Sequence, residues 1–155
     1  MEVSIRPGKQ SDHDQIMDLW LSGNRQAQGF VKPGFWESHR EMVRDLLPKA
    51  DLYVAESDDE KIAGFVGLQG RYIAGLFVEQ SFRCMGIGKA LLGRCKQEHS
   101  YLTLEVYAKN ERAYQFYKRE GFLITKAQMD REAGAMAYSM AWTSMYDALK
   151  EKTGS

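Results

Sequence analysis

The stretch Val78-Glu79-Gln80-Ser81-Phe82-Arg83-Cys84-Met85-Gly86-Ile87-Gly88-Lys89-Ala90-Leu91-Leu92 constrains the fold more than any other part of the 155-residue chain. An apolar strand over Arg71 to Val78 runs into a loop with two glycines, and a helix carrying Ile87, Leu91, Leu92 and Cys95 starts at them. The first amide groups of such a helix have no intrahelical partner and carry the positive end of its dipole, which suits an anion. Glycines at 86 and 88 let phosphate oxygens approach the backbone without a Cβ in the way. From Gln80 through Gln97 there are four basic residues, Arg83, Lys89, Arg94 and Lys96, and no acidic one. A plainer reading of the same residues is a glycine-capped turn before a solvated basic helix face. The residues of the turn leave both open.

The flanking segments alternate between the two hydrophobic periods. Val3 and Ile5 read as a short strand. Ser11 with Asp14 fits a capping box for a helix from about residue 12. A second helix follows Pro33-Gly34, turns Phe35, Met42, Val43, Leu46 and Leu47 inward, and ends at Pro48. Leu52 to Ala55 and Ile62 to Leu68 form a hairpin across the turn Ser57 to Glu60. After the glycine loop and its helix, Leu102, Leu104 and Val106 alternate in a strand, and Asn110 to Arg119 makes a short helix closed by Gly121. Phe122 to Ala127 and Met136 to Trp142 form a last hairpin. The order β-α-α-β-β-β-α-β-α-β-β describes one mixed α/β domain over 1–142, with a C-terminal helix or tail over 143–155.

Charge and cysteine content exclude several classes. Basic and acidic residues number 21 each, so bulk attraction to nucleic acid or an anionic membrane is not expected. Cys84 and Cys95 match neither a disulfide framework nor a zinc site, and His13, His39 and His99 lack metal-ligand spacing. No apolar run approaches the roughly 20 residues of a membrane span. The N-terminus lacks a basic leader followed by an apolar core, so the expectation is a soluble, cytoplasmic protein without a metal.

Two nucleotide motifs fail at the glycine loop. Gly88-Lys89-Ala90 resembles the end of a Walker loop, but Ala90 supplies no hydroxyl for magnesium and Arg83 stands where the first glycine belongs. The dinucleotide fingerprint fails because Leu91 occupies the position of its third glycine.

Arg83-x-x-Gly86-x-Gly88 after a strand resembles instead the acetyl-CoA loop of the GCN5-related N-acetyltransferase (GNAT) family. The segment Asn110-Glu111-Arg112-Ala113-Tyr114-Gln115-Phe116-Tyr117-Lys118-Arg119-Glu120-Gly121-Phe122 is similar to that family's second signature at each defining position. Phe35-Trp36, Leu76-Phe77-Val78 and Leu104-Glu105-Val106-Tyr107 resemble its small bacterial members that act on proteins or peptides. The resemblance implies a bent mixed sheet of about seven strands and four helices, split between strands 4 and 5. It implies acetyl-CoA as donor and a primary amine as acceptor: a protein lysine, an N-terminus or a small molecule. The protein would act as a monomer or homodimer. Backbone contacts to pantetheine would come from Phe77 and Val78, and phosphate contacts from the amides of Arg83, Cys84, Met85, Gly86, Ile87, Gly88 and Lys89.

The implied chemistry needs two proton events. A lysine with a pKa near 10.4 is neutral only about once in 2,500 molecules at pH 7, so a base is useful, and the leaving thiolate needs an acid. By resemblance Tyr117 is that acid; a core aromatic is its plainer role. Alternation puts Glu105 on the face of Thr103 and Tyr107, opposite the leucines, where partial burial would raise its pKa and suit it as a base. It precedes Tyr117 by the same twelve positions as the glutamate of ribosomal-protein alanine acetyltransferases, which it resembles here. A solvated strand carboxylate and a water-relayed base are the other readings. Asn110 has two compatible roles, holding the pantetheine arm and capping its helix. Acceptor selection is expected around Phe30, Phe35, Trp36 and His39 and in the turn Asp130 to Ala135; Tyr72 and Tyr107 either line the acceptor side or serve only as packing aromatics. A catalytically weak acyl-CoA-binding module and a different nucleotide-binding domain are the competing functions.

Overall fold

The computed structural model describes residues 3–27, 30–83 and 85–145. Cys84, expected in the phosphate loop, and most of the C-terminal tail lie outside the described residues. Among those described there are seven strands, β1 (Val3–Pro7), β2 (Asp51–Ser57), β3 (Ile62–Gln69), β4 (Tyr72–Val78), β5 (Tyr101–Tyr107), β6 (Leu123–Asp130) and β7 (Ala135–Thr143). Four α-helices join them: α1 (His13–Ala27), α2 (Phe35–Leu46), α3 (Ile87–Glu98) and α4 (Glu111–Arg119). Hydrogen bonding orders the sheet β1-β2-β3-β4-β5-β7-β6. This is the expected mixed sheet.

Successive residues of β2 and β3 serve opposite faces. Val54 and Phe65 join Ile16, Met17 and Trp20 of α1 in one buried cluster. Their neighbours Ala55 and Val66 join Ile87, Leu91 and Leu92 of α3 in another. Period-2 alternation against two 3.6-period helices produces a sheet covered on both sides.

One strand pair is incomplete. β3 and β4 are antiparallel from Gln69↔Tyr72 to Gly64↔Val78. On its other edge β4 runs parallel to β5 and pairs only at Tyr72↔Thr103 and Ile73↔Leu104. Against β3, the register steps from Leu68↔Ile73 to Gly67↔Gly75, leaving Ala74 as an extra residue. A bulge of this kind bends its strand and increases the local twist. From Ala74 onward the edge of β4 therefore diverges from β5.

The start of α1 differs from expectation. Asp12, not Asp14, accepts a hydrogen bond from the Lys9 amide at 2.9 Å, within a short 3-10 turn over Gln10–Asp12. Asp12 also takes a fork of two bonds from the Arg6 guanidinium, at 2.8 and 2.9 Å, and the same guanidinium reaches Glu56 at 3.0 Å. Asp12 is won by this buried pairing with β1. Local spacing alone gives no sign of that contact.

α2 departs from expectation as well. None of its residues is fully buried, and Met42 and Leu46, expected inside, are 55% and 36% exposed. Trp36 and Val43 do pack against the α1 cluster.

Candidate active site

The glycine loop places Gly86 at the N-cap of α3 with φ of 77°, a left-handed conformation costly for any side chain. The first intrahelical bond runs from the Ala90 amide to the Gly86 carbonyl at 3.0 Å. The amides of Ile87, Gly88 and Lys89 precede it and so have no partner within the helix. The two glycines do different things. A Cβ at residue 86 would meet nothing within 4 Å, whereas one at residue 88 would come within 3.4 Å of Phe116 Cζ. Gly86 supplies the turn, and Gly88 lies against the Phe116 ring.

The four basic residues also divide. The Arg94 guanidinium sits over the Tyr53 ring at 4.8 Å and pairs with Glu98 at 3.6 Å. Lys96 donates to the Glu120 carbonyl at 2.6 Å, capping α4, and lies over Trp142. Arg83 and the exposed Lys89 remain beside the helix start. Met85 is 48% exposed there.

A cavity of about 290 Å³ opens where β4 and β5 part. Ala74, Gly75, Leu76 and Phe77 form one wall, and Leu104, Glu105 and Val106 the other. Val78 lies just beyond, half-buried at the end of β4. Asn110, Ala113 and Tyr117 of the α4 segment also line the cavity. Asn110 accepts the Ala113 amide at 3.3 Å through Oδ1, so the cap forms. Tyr117 is 8% exposed, with its ring packed edge-on against Phe116 and Phe122. Burial pushes its phenol above the usual 10, with Cys95 and Tyr72 adding to the shift. Glu105 stands opposite Ser139 of β7 and is exposed, the solvated one of the readings its strand left open. Tyr72 is raised by burial and by the Glu105 charge. Tyr72 thus lies within electrostatic reach of Glu105 and of Tyr117, and all three line one cavity. Cys95 is buried, and burial pushes its thiol up to about 12, which leaves it unreactive.

Much of the remaining lining is aromatic. Trp20 and Trp36 meet edge to face at 5.9 Å, and Trp36 also meets Phe35 at 4.8 Å and Tyr107 at 6.3 Å. Phe30 meets Tyr107 at 5.7 Å. Tyr107 donates to Asp130 Oδ2 at 2.9 Å, and Asp130 Oδ1 accepts the Ala133 amide at 3.1 Å. His39 turns Nδ1 to the Phe35 carbonyl at 2.7 Å and Nε2 to Glu132 at 2.8 Å. Nε2 ties α2 to the β6–β7 turn while Nδ1 stays within α2, so both ring nitrogens are engaged. The expected acceptor segments thus meet at one wall. Trp20, Asn24, Met42 and Val43 join that wall without any motif to mark them. Among the described residues, no cluster of three or more His, Cys, Asp or Glu is placed to hold a metal ion.

A sheet parted beside a parallel pair, with a helix N-terminus at the strand's end, is the split arrangement that the GNAT resemblance implies. A family model described as an acetyltransferase (GNAT) domain matches residues 48–124. The peptidyl-lysine N-acetyltransferase YiaC of Escherichia coli is 36% identical over 140 residues, covering 89% of this chain and 95% of that protein. The peptidyl-lysine N-acetyltransferase YjaB of the same organism is 29% identical, over 81% of this chain and 85% of its own. The solution structure of apo YjaB superposes with a TM-score of 0.80 at 26% identity, covering 92% of this chain and 98% of that one. The PaiA N-acetyltransferase of Thermoplasma acidophilum, solved with coenzyme A, has the same fold, with a TM-score of 0.74 at 17% identity over 92% and 99% of the two chains. The chain belongs to the GNAT acetyltransferase family and is an N-acetyltransferase.

Proposed function

We propose that the protein moves the acetyl group of acetyl-CoA to the ε-amine of a lysine in a protein or peptide, by direct attack with both substrates bound. The cavity carries this reading, because the open β4 edge, Tyr117 and an aromatic wall line the same space. The lysine acceptor rests on the names of the two Escherichia coli relatives. Aromatic faces suit a four-carbon stem and its cationic head.

The residues present fit the donor. Ala74 to Val78 offer unpaired backbone groups on one edge, which an amide-bearing arm completes as an added strand would, with contacts at Phe77 and Val78. The amides of Ile87, Gly88 and Lys89, with the Arg83 and Lys89 side chains, suit the pyrophosphate. Asn110 uses Oδ1 for the cap, which leaves its amide NH2 for the arm. The donor supplies a thioester carbon open to attack. Glu105 takes the proton from the acceptor ammonium, directly or through a water. As the N–C bond forms and the C–S bond breaks, Tyr117 gives its proton to the departing sulfur; the nitrogen's second proton leaves to water as the amide forms, and water returns a proton to Tyr117.

A panel of lysine peptides, peptides with only a free N-terminus, and small amines, read by release of the coenzyme thiol, tests the acceptor. Lysine peptides turn over fastest on this reading. Turnover confined to small amines overturns the acceptor, and acetyl-CoA binding without turnover of any amine favours a binding module. Gly86→Val tests the phosphate turn. A branched side chain forced to positive φ costs about 1–2 kcal/mol, strain that the turn relieves by shifting the unpaired amides out of line. Acetyl-CoA affinity by calorimetry is expected to fall about tenfold, whereas an unchanged affinity removes the turn from the donor site.

A further inference from the structure

The apolar side of α2 is made of two rows. Trp36 and Val43 form one, continued by Leu47 just past the helix, and it packs into the α1 cluster. Phe35, His39, Met42 and Leu46 form the other, spaced as helix neighbours one above the next. The second row begins under cover, where Phe35 stacks on His39 at 4.3 Å and Glu132 clamps the imidazole. It then runs outward and loses its cover, with Met42 55% and Leu46 36% exposed. Met42 still lines the active-site cavity, as does Tyr72, itself 36% exposed. An apolar row normally turns to a core. This one is continuous with the passage through which an acceptor amine must enter, so whatever chain carries the amine lies along it.

We propose that Met42, with Leu46 beyond it on α2 and Tyr72 on the lining of the same cavity, forms a subsite for an apolar side chain next to the acetylated lysine. The inference rests on the peptide-lysine acceptor proposed above. Met suits the task because its unbranched, polarizable thioether adapts to different aliphatic partners. The surrounding helix surface is charged, with Arg40, Glu41, Arg44 and Asp45 all exposed. The preference is therefore for an apolar neighbour held at one spot within a polar rim.

The test uses peptides in which a single lysine is flanked by Leu or by Ser, one position at a time on each side. Burying one aliphatic side chain on such a patch is worth about tenfold in kcat/KM. Wild type is expected to prefer Leu by about that factor at one position, and Met42→Ser to reduce the ratio to about twofold or less. An equal rate for Leu and Ser peptides in wild type overturns the subsite, as does a preference that survives Met42→Ser. Failure to acetylate either peptide, with acetyl-CoA binding intact, overturns the lysine-peptide reading and the subsite with it.

Discussion

Tyr117→Phe is expected to lower kcat by about 10²–10³, the usual contribution of a positioned proton donor. The substitution removes one oxygen and leaves the ring. The edge contacts with Phe116 at 5.2 Å and Phe122 at 5.7 Å persist, so folding and acetyl-CoA affinity change little. Burial holds the phenol protonated well above its ordinary range. The proton is therefore present throughout the pH range of an assay, and wild-type kcat shows no falling limb from this group below pH 10. Single-turnover acetylation of a lysine peptide, compared between the two proteins, isolates the chemical step. Equal rates would show that the leaving sulfur takes its proton from elsewhere.

Asp12→Ala is expected to have the largest effect on stability. The carboxylate is 4% exposed and answers two guanidinium bonds from Arg6 and one amide bond from Lys9. Its removal leaves Arg6 with the more exposed Glu56 as its remaining carboxylate partner. Breaking a buried pair costs about 3–5 kcal/mol, and Arg6 keeps one partner and some solvent, so about 2–3 kcal/mol is expected. At this chain length that is roughly 5–10 °C in Tm. The Arg6 hydrogen bonds hold the Asp12 carboxyl below its usual 3.8. A depressed acid contributes stability that is present above its unfolded pKa and is lost as pH falls through the folded one. The gap between wild type and Asp12→Ala should therefore be full at neutral pH and narrow only below about pH 4. Thermal melts across that range check both the size and the sign.

What could be read in advance follows from how local its cause is. The left-handed Gly86 and the Asn110 cap depend on a few consecutive residues, and the chain states both. The alternation of β5 is equally plain, and it puts Glu105 on the face of Tyr107. The depth of Glu105 depends on what covers that face, and the strand carries no record of it. Met42 and Leu46 show the same limit from the other side, because a helical period cannot distinguish a core from a cavity. Arg94 and Lys96 look like part of a phosphate site in the sequence, yet Glu98, Tyr53 and Glu120 engage them at the far end of α3. Trp20 and Asn24 reach the cavity only because α1 crosses β4, and that crossing has no motif.

The two-position ladder between β4 and β5 has a mechanical meaning. By strand order the sheet is continuous, but β1 to β4 and β5 to β7 are stitched along a seam that is mostly unsewn. A molecule lying along the free edge of β4 supplies part of the missing stitching and becomes a structural member of the sheet while bound. Occupancy and stiffness are then coupled, because binding to the folded state alone raises its stability. The donor would splice the two halves of the protein together at the place where the acceptor is to react.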